Sequence, residues 1–146
     1  MKKVLSIAGS DPSGGAGIQA DIKTITAHKH YAMAVIVSLT AQNTTAVSRV
    51  LNCSPEFVEA QIDSVLSDIT PDAIKLGMLS NADIMRSVAK MLKKYNCKNI
   101  ILDPVMVATT GGRLMDESAL EVYTKELFSL ASVVTPNLPE ASVLSG

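Results

Sequence analysis

Short apolar runs alternate with amphipathic stretches along the whole chain. Lys3–Ala8, Met33–Thr40, Ala73–Leu76, Asn99–Leu102 and Ser132–Thr135 are strand candidates. Several are continuously apolar, without polar alternation, which suits parallel strands buried on both faces. Between them the period changes to that of a helix. Ser54-Pro55-Glu56 is a helix start with a cap, a proline at the first position and an acid in the first turn. Val58, Ile62, Val65, Leu66 and Ile69 then form one stripe, and Ile84, Val88, Met91, Leu92 and Tyr95 form a second. Asp116 caps a further helix carrying Leu120, Tyr123 and Leu127. The stripes are core positions. The alternation predicts an open α/β/α sandwich.

The junction after the first strand departs from this regularity. Ala8-Gly9-Ser10-Asp11-Pro12-Ser13-Gly14-Gly15-Ala16-Gly17 runs from an apolar strand into a helical pattern and holds four glycines in nine residues. Strand, glycine-rich turn, helix is how α/β proteins bring backbone close to a small ligand. Neither a G-x-G-x-x-G spacing nor a Gly-Lys-Ser/Thr sequence is present, so the loop is neither a dinucleotide fingerprint nor a P-loop. The plainer alternative is a tight turn that merely needs glycine.

Composition narrows the field. The 146 residues suffice for one domain, and 47% hydrophobic with 18% charged content describes a globular chain with a good core. A formal net charge of −1 favours neither nucleic acid nor an anionic membrane, and 3% aromatics without tryptophan argue against a base-stacking platform. The run Val4–Ala8 after Met1-Lys2-Lys3 breaks at Gly9, short of a signal-peptide core. Cys53 and Cys97 lie far apart without a metal motif, which fits a reducing cytosol.

The opening loop closely resembles the N-terminal signature of the hydroxymethylpyrimidine and phosphomethylpyrimidine kinases of thiamin synthesis, in the ribokinase-like superfamily. Thr40-Ala41-Gln42-Asn43-Thr44, Lys75-Leu76-Gly77-Met78-Leu79, Asp103-Pro104-Val105-Met106-Val107-Ala108 and Thr135-Pro136-Asn137-Leu138-Pro139-Glu140-Ala141 match in the same order. The resemblance implies a ribokinase-like three-layer α/β/α sandwich with a mostly parallel central sheet. It also implies a kinase that uses ATP and Mg2+, is cytoplasmic and forms a homodimer. The helical pattern beginning at Pro139 stops at Gly146 after about two turns. The resembling kinases continue well beyond this point, to a Gly-Thr-Gly-Cys type anion hole that nothing in this chain matches. Residues 1–146 are therefore expected to be the N-terminal part of one kinase domain, incomplete at the C-terminus.

The resemblance places Gly9 at close backbone approach to a pyrimidine and has Gln42 read its ring. The chemistry agrees, because a carboxamide offers a donor and an acceptor side by side, complementary to a ring nitrogen beside an exocyclic amine. The alternative for Gln42 is a strand-end side chain tying up loop backbone. Asp21, about one turn after Gly17, either bonds the substrate's amino or hydroxymethyl group or is an exposed acid in an early helical turn. Met78 and Val105 either wall the pyrimidine or belong to the core. Lys75 is a weaker candidate for neutralising phosphate, since a lysine at a strand end also fits pointing to solvent. Asp103 ends an apolar strand, where a carboxylate binds metal or caps a turn. It is assigned with Asn137 to the nucleotide. Asn137-Leu138-Pro139-Glu140 matches the Asn-x-x-Glu pattern found near magnesium in ribokinase-like enzymes, so Glu140 is the metal candidate. The same pair also reads as a helix cap. His28 and His30 are expected at the surface, and Arg113 is a weak phosphate candidate. Two other functions stand beside the pyrimidine kinase: a pyridoxal kinase-like enzyme, and a non-catalytic small-molecule binding module.

Overall fold

The computed structural model describes residues 1–106 and 117–145. The chain runs β1 (Lys3–Ala8), α1 (Gly17–Ala27), β2 (Tyr31–Ile36), β3 (Ser38–Gln42), β4 (Val47–Asn52), α2 (Pro55–Leu66), β5 (Ala73–Leu76), α3 (Ala82–Lys94), β6 (Ile100–Leu102), α4 (Glu117–Val122), β7 (Val133–Val134) and α5 (Leu138–Ser145). A π-helical stretch, Tyr123–Leu127, and a 3-10 turn, Phe128–Leu130, lead from α4 toward β7.

Among the described residues five strands form one sheet in the order β2-β1-β5-β6-β7, and every pairing is parallel. The apolar runs are explained by burial on both faces. Leu5, Ile7, Ile74, Leu76 and Leu102 have no exposed surface, and Ser6, on the opposite face of β1, has none either. Against the first face pack Val58 and Ile62 of α2 and Ile84, Val88 and Leu92 of α3, the predicted stripes. α1 covers the Ser6 face, where Asp21 takes the Ser6 hydroxyl at 2.6 Å. Helices on both faces of a parallel sheet are the expected sandwich.

The helix ends follow their sequence signals. Ser54 Oγ accepts the Phe57 N–H, with Pro55 opening α2, and Asn81 Oδ1 accepts the Ile84 N–H at the start of α3. The helix expected over Leu120, Tyr123 and Leu127 forms, but its second half is π-helical. Asp116 and Arg113 lie outside the described residues.

One expectation fails. Met33–Thr40 is not one strand: β2 ends at Ile36, and after a bend at Val37 the chain leaves the main sheet. The cause is the length of its neighbour. β1 ends at Ala8, whose carbonyl takes the Val37 N–H at 3.0 Å, and beyond it there is no strand to pair with. β3 instead pairs antiparallel with β4, with a bulge between Ala41 and Gln42. This hairpin leans over the loop that follows β1, through Ser10 N–H to Ser38 carbonyl at 2.9 Å.

Candidate functional site

The glycine-rich loop is organised by one buried carboxylate. Asp11 is 3% exposed. Its Oδ1 accepts the Ser13 N–H at 2.9 Å and hydroxyl at 2.7 Å, and its Oδ2 accepts the N–H groups of Gly15 at 3.1 Å and Ala16 at 2.9 Å. The Ser13 hydroxyl above all, with the backbone donors, holds this carboxyl below the usual range against the opposing effect of burial. Gly15 and Ala16 immediately precede α1, so the carboxylate stands near the positive end of that helix dipole, while the Ile18 N–H of its first turn is taken by the Gly9 carbonyl at 3.0 Å. Gln19 returns from α1, accepting the Asp11 N–H at 2.8 Å and donating to Ser10 Oγ at 3.0 Å. Gly17 has φ +55°, and a Cβ there would collide with the Gly9 carbonyl oxygen. A Cβ on Gly9 would lie 2.8 Å from both the Met78 methyl and Ser38 Oγ. Gly17 is therefore required by the backbone itself, whereas a side chain at Gly9 would have to displace the Met78 methyl and the Ser38 hydroxyl.

Above this loop lies a cleft of about 440 Å³ at the carboxyl ends of β1, β5 and β6. This is where the sheet order reverses, since β2 lies on one side of β1 and every later strand of the sheet on the other. Gly9, Asp21, Gln42, Met78, Asp103 and Val105 all line it. Met78 and Val105 are half-buried, so they present surface to the cleft and are not closed core. The hairpin supplies the opposite wall, with Thr40, Gln42, Val47 and Val50. Gln42 does not tie up the loop backbone. Thr40 does so, its hydroxyl lying 2.8 Å from the Ser10 carbonyl and 3.2 Å from Gln42 Oε1.

At the cleft floor Lys75 Nζ stands 3.1 Å from each Asp21 oxygen and 3.4 Å from Asp103 Oδ2. Asp21 is thus neither a free surface acid nor an unengaged ligand group: it already holds Ser6 and Lys75. Lys75 points into the cleft, not into bulk solvent. Further along the strand ends, Asn137 and Glu140 cap α5 reciprocally. The Asn137 N–H donates to Glu140 Oε2 and the Glu140 N–H to Asn137 Oδ1, both at 2.9 Å. Glu140 is 7% exposed. Neither residue lines the cleft around Gln42. Tyr123 is buried within electrostatic reach of Asp103 and Glu140. Burial first, then the charges of Asp103 and Glu140, push its phenol well above its ordinary value, so it stays neutral. Its hydroxyl is buried and has no partner among the described residues.

The profile of the phosphomethylpyrimidine kinase family matches residues 11–146. The chain belongs to that family. It is 49% identical to the hydroxymethylpyrimidine/phosphomethylpyrimidine kinase of Escherichia coli over 146 residues, covering 99% of this chain and 55% of the relative. It is likewise 49% identical to the Salmonella typhimurium kinase of the same name, covering 96% of this chain and 53% of that one. Among solved structures, the phosphomethylpyrimidine kinase from Clostridium difficile superposes with a TM-score of 0.95 at 45% identity, covering all of this chain and 63% of that one. A Staphylococcus aureus pyridoxal kinase in complex with AMP-PCP and pyridoxal gives 0.85 at 38% identity, covering all of this chain and 52% of that one. The chain spans about half the length of the curated relatives it matches.

A kinase family implies a metal ion, and the donors present can be tested for one. Among the described residues no group of three or more His, Cys, Asp or Glu side chains could hold a metal, so no protein-built cage exists there. Magnesium does not need one: it keeps several waters and takes one or two carboxylates with substrate phosphates. Glu140 commits Oε2 to the Asn137 N–H, and its other oxygen has no hydrogen-bond partner among the described residues. Glu140 could therefore serve as the one carboxylate that a phosphate-borne magnesium would need.

The sequence missed Ser6, Gln19 and the β4 wall. Ser6 carried a signal, being the one polar residue inside the apolar run Val4–Ala8. Gln19 carried none beyond its place in an early helical turn. His30 is half-buried, with an Nδ1 lacking a partner among the described residues, whereas His28 is exposed as expected. Both precede β2 and so sit at the sheet edge away from the cleft.

Proposed function

We propose that this chain is the substrate-holding, N-terminal part of a single ribokinase-like kinase domain. That domain transfers phosphate from ATP first to hydroxymethylpyrimidine and then to its phosphate ester, in thiamin biosynthesis. The observation that carries the reading is the shared cleft: Gln42 on one wall, Met78 and Val105 on another, and Asp21 on the floor surround one space. The apolar face of a flat ring can pack against the wall that Met78 and Val105 form. The Gln42 carboxamide supplies the donor and acceptor that an aminopyrimidine edge requires. Asp21 keeps about one acceptor site for an amino or hydroxymethyl donor, because its two oxygens offer about four and Ser6 and Lys75 take three of them.

In this reading Asp103 and Asn137 face the nucleotide, and Glu140 would hold magnesium. The metal would neutralise charge on the transferred phosphoryl group. The donors that stabilise the transferring phosphate are not among these residues, since no Gly-Thr-Gly-Cys type motif occurs in the sequence. Turnover therefore depends on a segment that supplies them. A cytoplasmic homodimer completes the proposal. Two free half-buried cysteines suit a reducing compartment, and no helix among the described residues is long and apolar enough to cross a membrane.

Pyridoxal is the second reading, favoured by the S. aureus pyridoxal kinase that superposes over the whole chain. Competitive titration of hydroxymethylpyrimidine and pyridoxal separates the two. The proposal expects the aminopyrimidine to bind more tightly, through Gln42. Tighter pyridoxal binding would move the substrate to the pyridine.

A further inference from the structure

The cleft has one basic side chain among its described lining residues, Lys75, against the acids Asp11, Asp21 and Asp103. Asp11 is spent on the loop, its oxygens taken by Ser13, Gly15 and Ala16. That leaves one ammonium between two carboxylates, 3.1 Å from Asp21 and 3.4 Å from Asp103. Its place is fixed from several directions. Lys75 is the register partner of Ser6 on β1, so both side chains leave the same face of the sheet, where Asp21 descends from α1. Ser6 donates to the same Asp21 oxygen that Lys75 contacts. Gly77 leaves room for the ammonium, since a Cβ there would stand 3.1 Å from Lys75 Nζ and 2.9 Å from the Ala8 Cβ. Lys75 is 26% exposed at its side chain, so water screens the cluster only in part.

We propose that Lys75 is a specificity-determining residue: its ammonium lets the same cleft accept both a neutral hydroxymethyl compound and the corresponding phosphomonoester. With Lys75 present, the floor carries one excess negative charge; without it, two. A phosphomonoester brings a further −1.5 to −2 near neutral pH. A neutral alcohol senses the floor charge weakly, whereas the ester is repelled by each uncompensated carboxylate. The inference rests on the substrate reading above for its choice of probes.

The experiment is calorimetric titration of wild type, Lys75→Met and Lys75→Arg with hydroxymethylpyrimidine and with its phosphate ester. The quantity read is the ratio of the two affinities, which a general loss of stability does not change. Lys75→Met is expected to weaken the ester at least about tenfold more than the alcohol, the scale of one charge removed from a partly wet site. Lys75→Arg should keep the wild-type ratio. An unchanged ratio in Lys75→Met overturns the proposal, whatever happens to the melting temperature. Pyridoxal and pyridoxal 5′-phosphate form a second pair. If wild type binds that pair and not the pyrimidines, the substrate reading fails, and the same ratio test on the second pair decides Lys75. A folded wild type that binds neither pair overturns both.

Discussion

Asp11→Ala removes the residue on which the binding loop is built. Four hydrogen bonds end on its carboxylate, from Ser13 N–H, Ser13 hydroxyl, Gly15 N–H and Ala16 N–H. Bonds to a charged acceptor contribute about 1.5–3 kcal/mol each when a buried partner is left unpaired. The simple sum overstates the effect here, because Ser13, Gly15 and Ala16 are exposed and water reaches their donors once the carboxylate is gone. At roughly 0.5–1 kcal/mol per bond, the loss is about 2–4 kcal/mol. Asp11→Asn should cost nearly as much, since its NH2 group would face the Gly15 and Ala16 donors. The pH dependence has a definite sign. Asp11's folded pKa is lowered, so its contribution is complete above the unfolded value near 4 and drains away as pH falls through the folded value. Urea denaturation of wild type and both variants from about pH 7 down through about pH 3 measures this, with the curves converging in acid. Variants within about 0.5 kcal/mol of wild type at neutral pH would refute the account of the loop.

Two further predictions concern other parts of the region. Gly17→Ala forces a Cβ against the Gly9 carbonyl at a positive φ and should lower stability by about 1–3 kcal/mol, read by thermal melting; a neutral substitution would contradict the packing described. Glu140→Gln keeps an oxygen that accepts the Asn137 N–H, so the melting temperature should change little. The magnesium needed for half-maximal ADP binding should rise severalfold, and an unchanged requirement would make Glu140 structural and turn attention to Asp103.

The main sheet was readable because strands buried on both faces must be apolar throughout. β1 and β5 occupy the expected boundaries, Lys3–Ala8 and Ala73–Leu76. The same property hid the break at Val37. Met33–Val37 is continuously apolar and runs on into β3, and what separates the two strands is the end of β1 at Ala8, a tertiary fact. β4 was invisible because all six of its residues are exposed, leaving no periodic burial to read. At the site, the Asn137–Glu140 cap was legible because its signal is local in sequence. The Ser6–Asp21–Lys75–Asp103 cluster was not, since it joins four elements whose order in the sheet a single sequence does not reveal. Lys75 inside Ala-Ile-Lys-Leu was the visible trace of it.

The central claim is that these residues by themselves form a pyrimidine-binding cleft read by Gln42. Isothermal titration of hydroxymethylpyrimidine into the 146-residue chain and its Gln42→Ala variant tests it most directly. The account predicts one site in wild type and a loss of about 1–3 kcal/mol of binding free energy in the variant, the cost of leaving buried polar groups unpaired. Equal affinity in the two folded proteins, or no binding by the folded wild type, would contradict it.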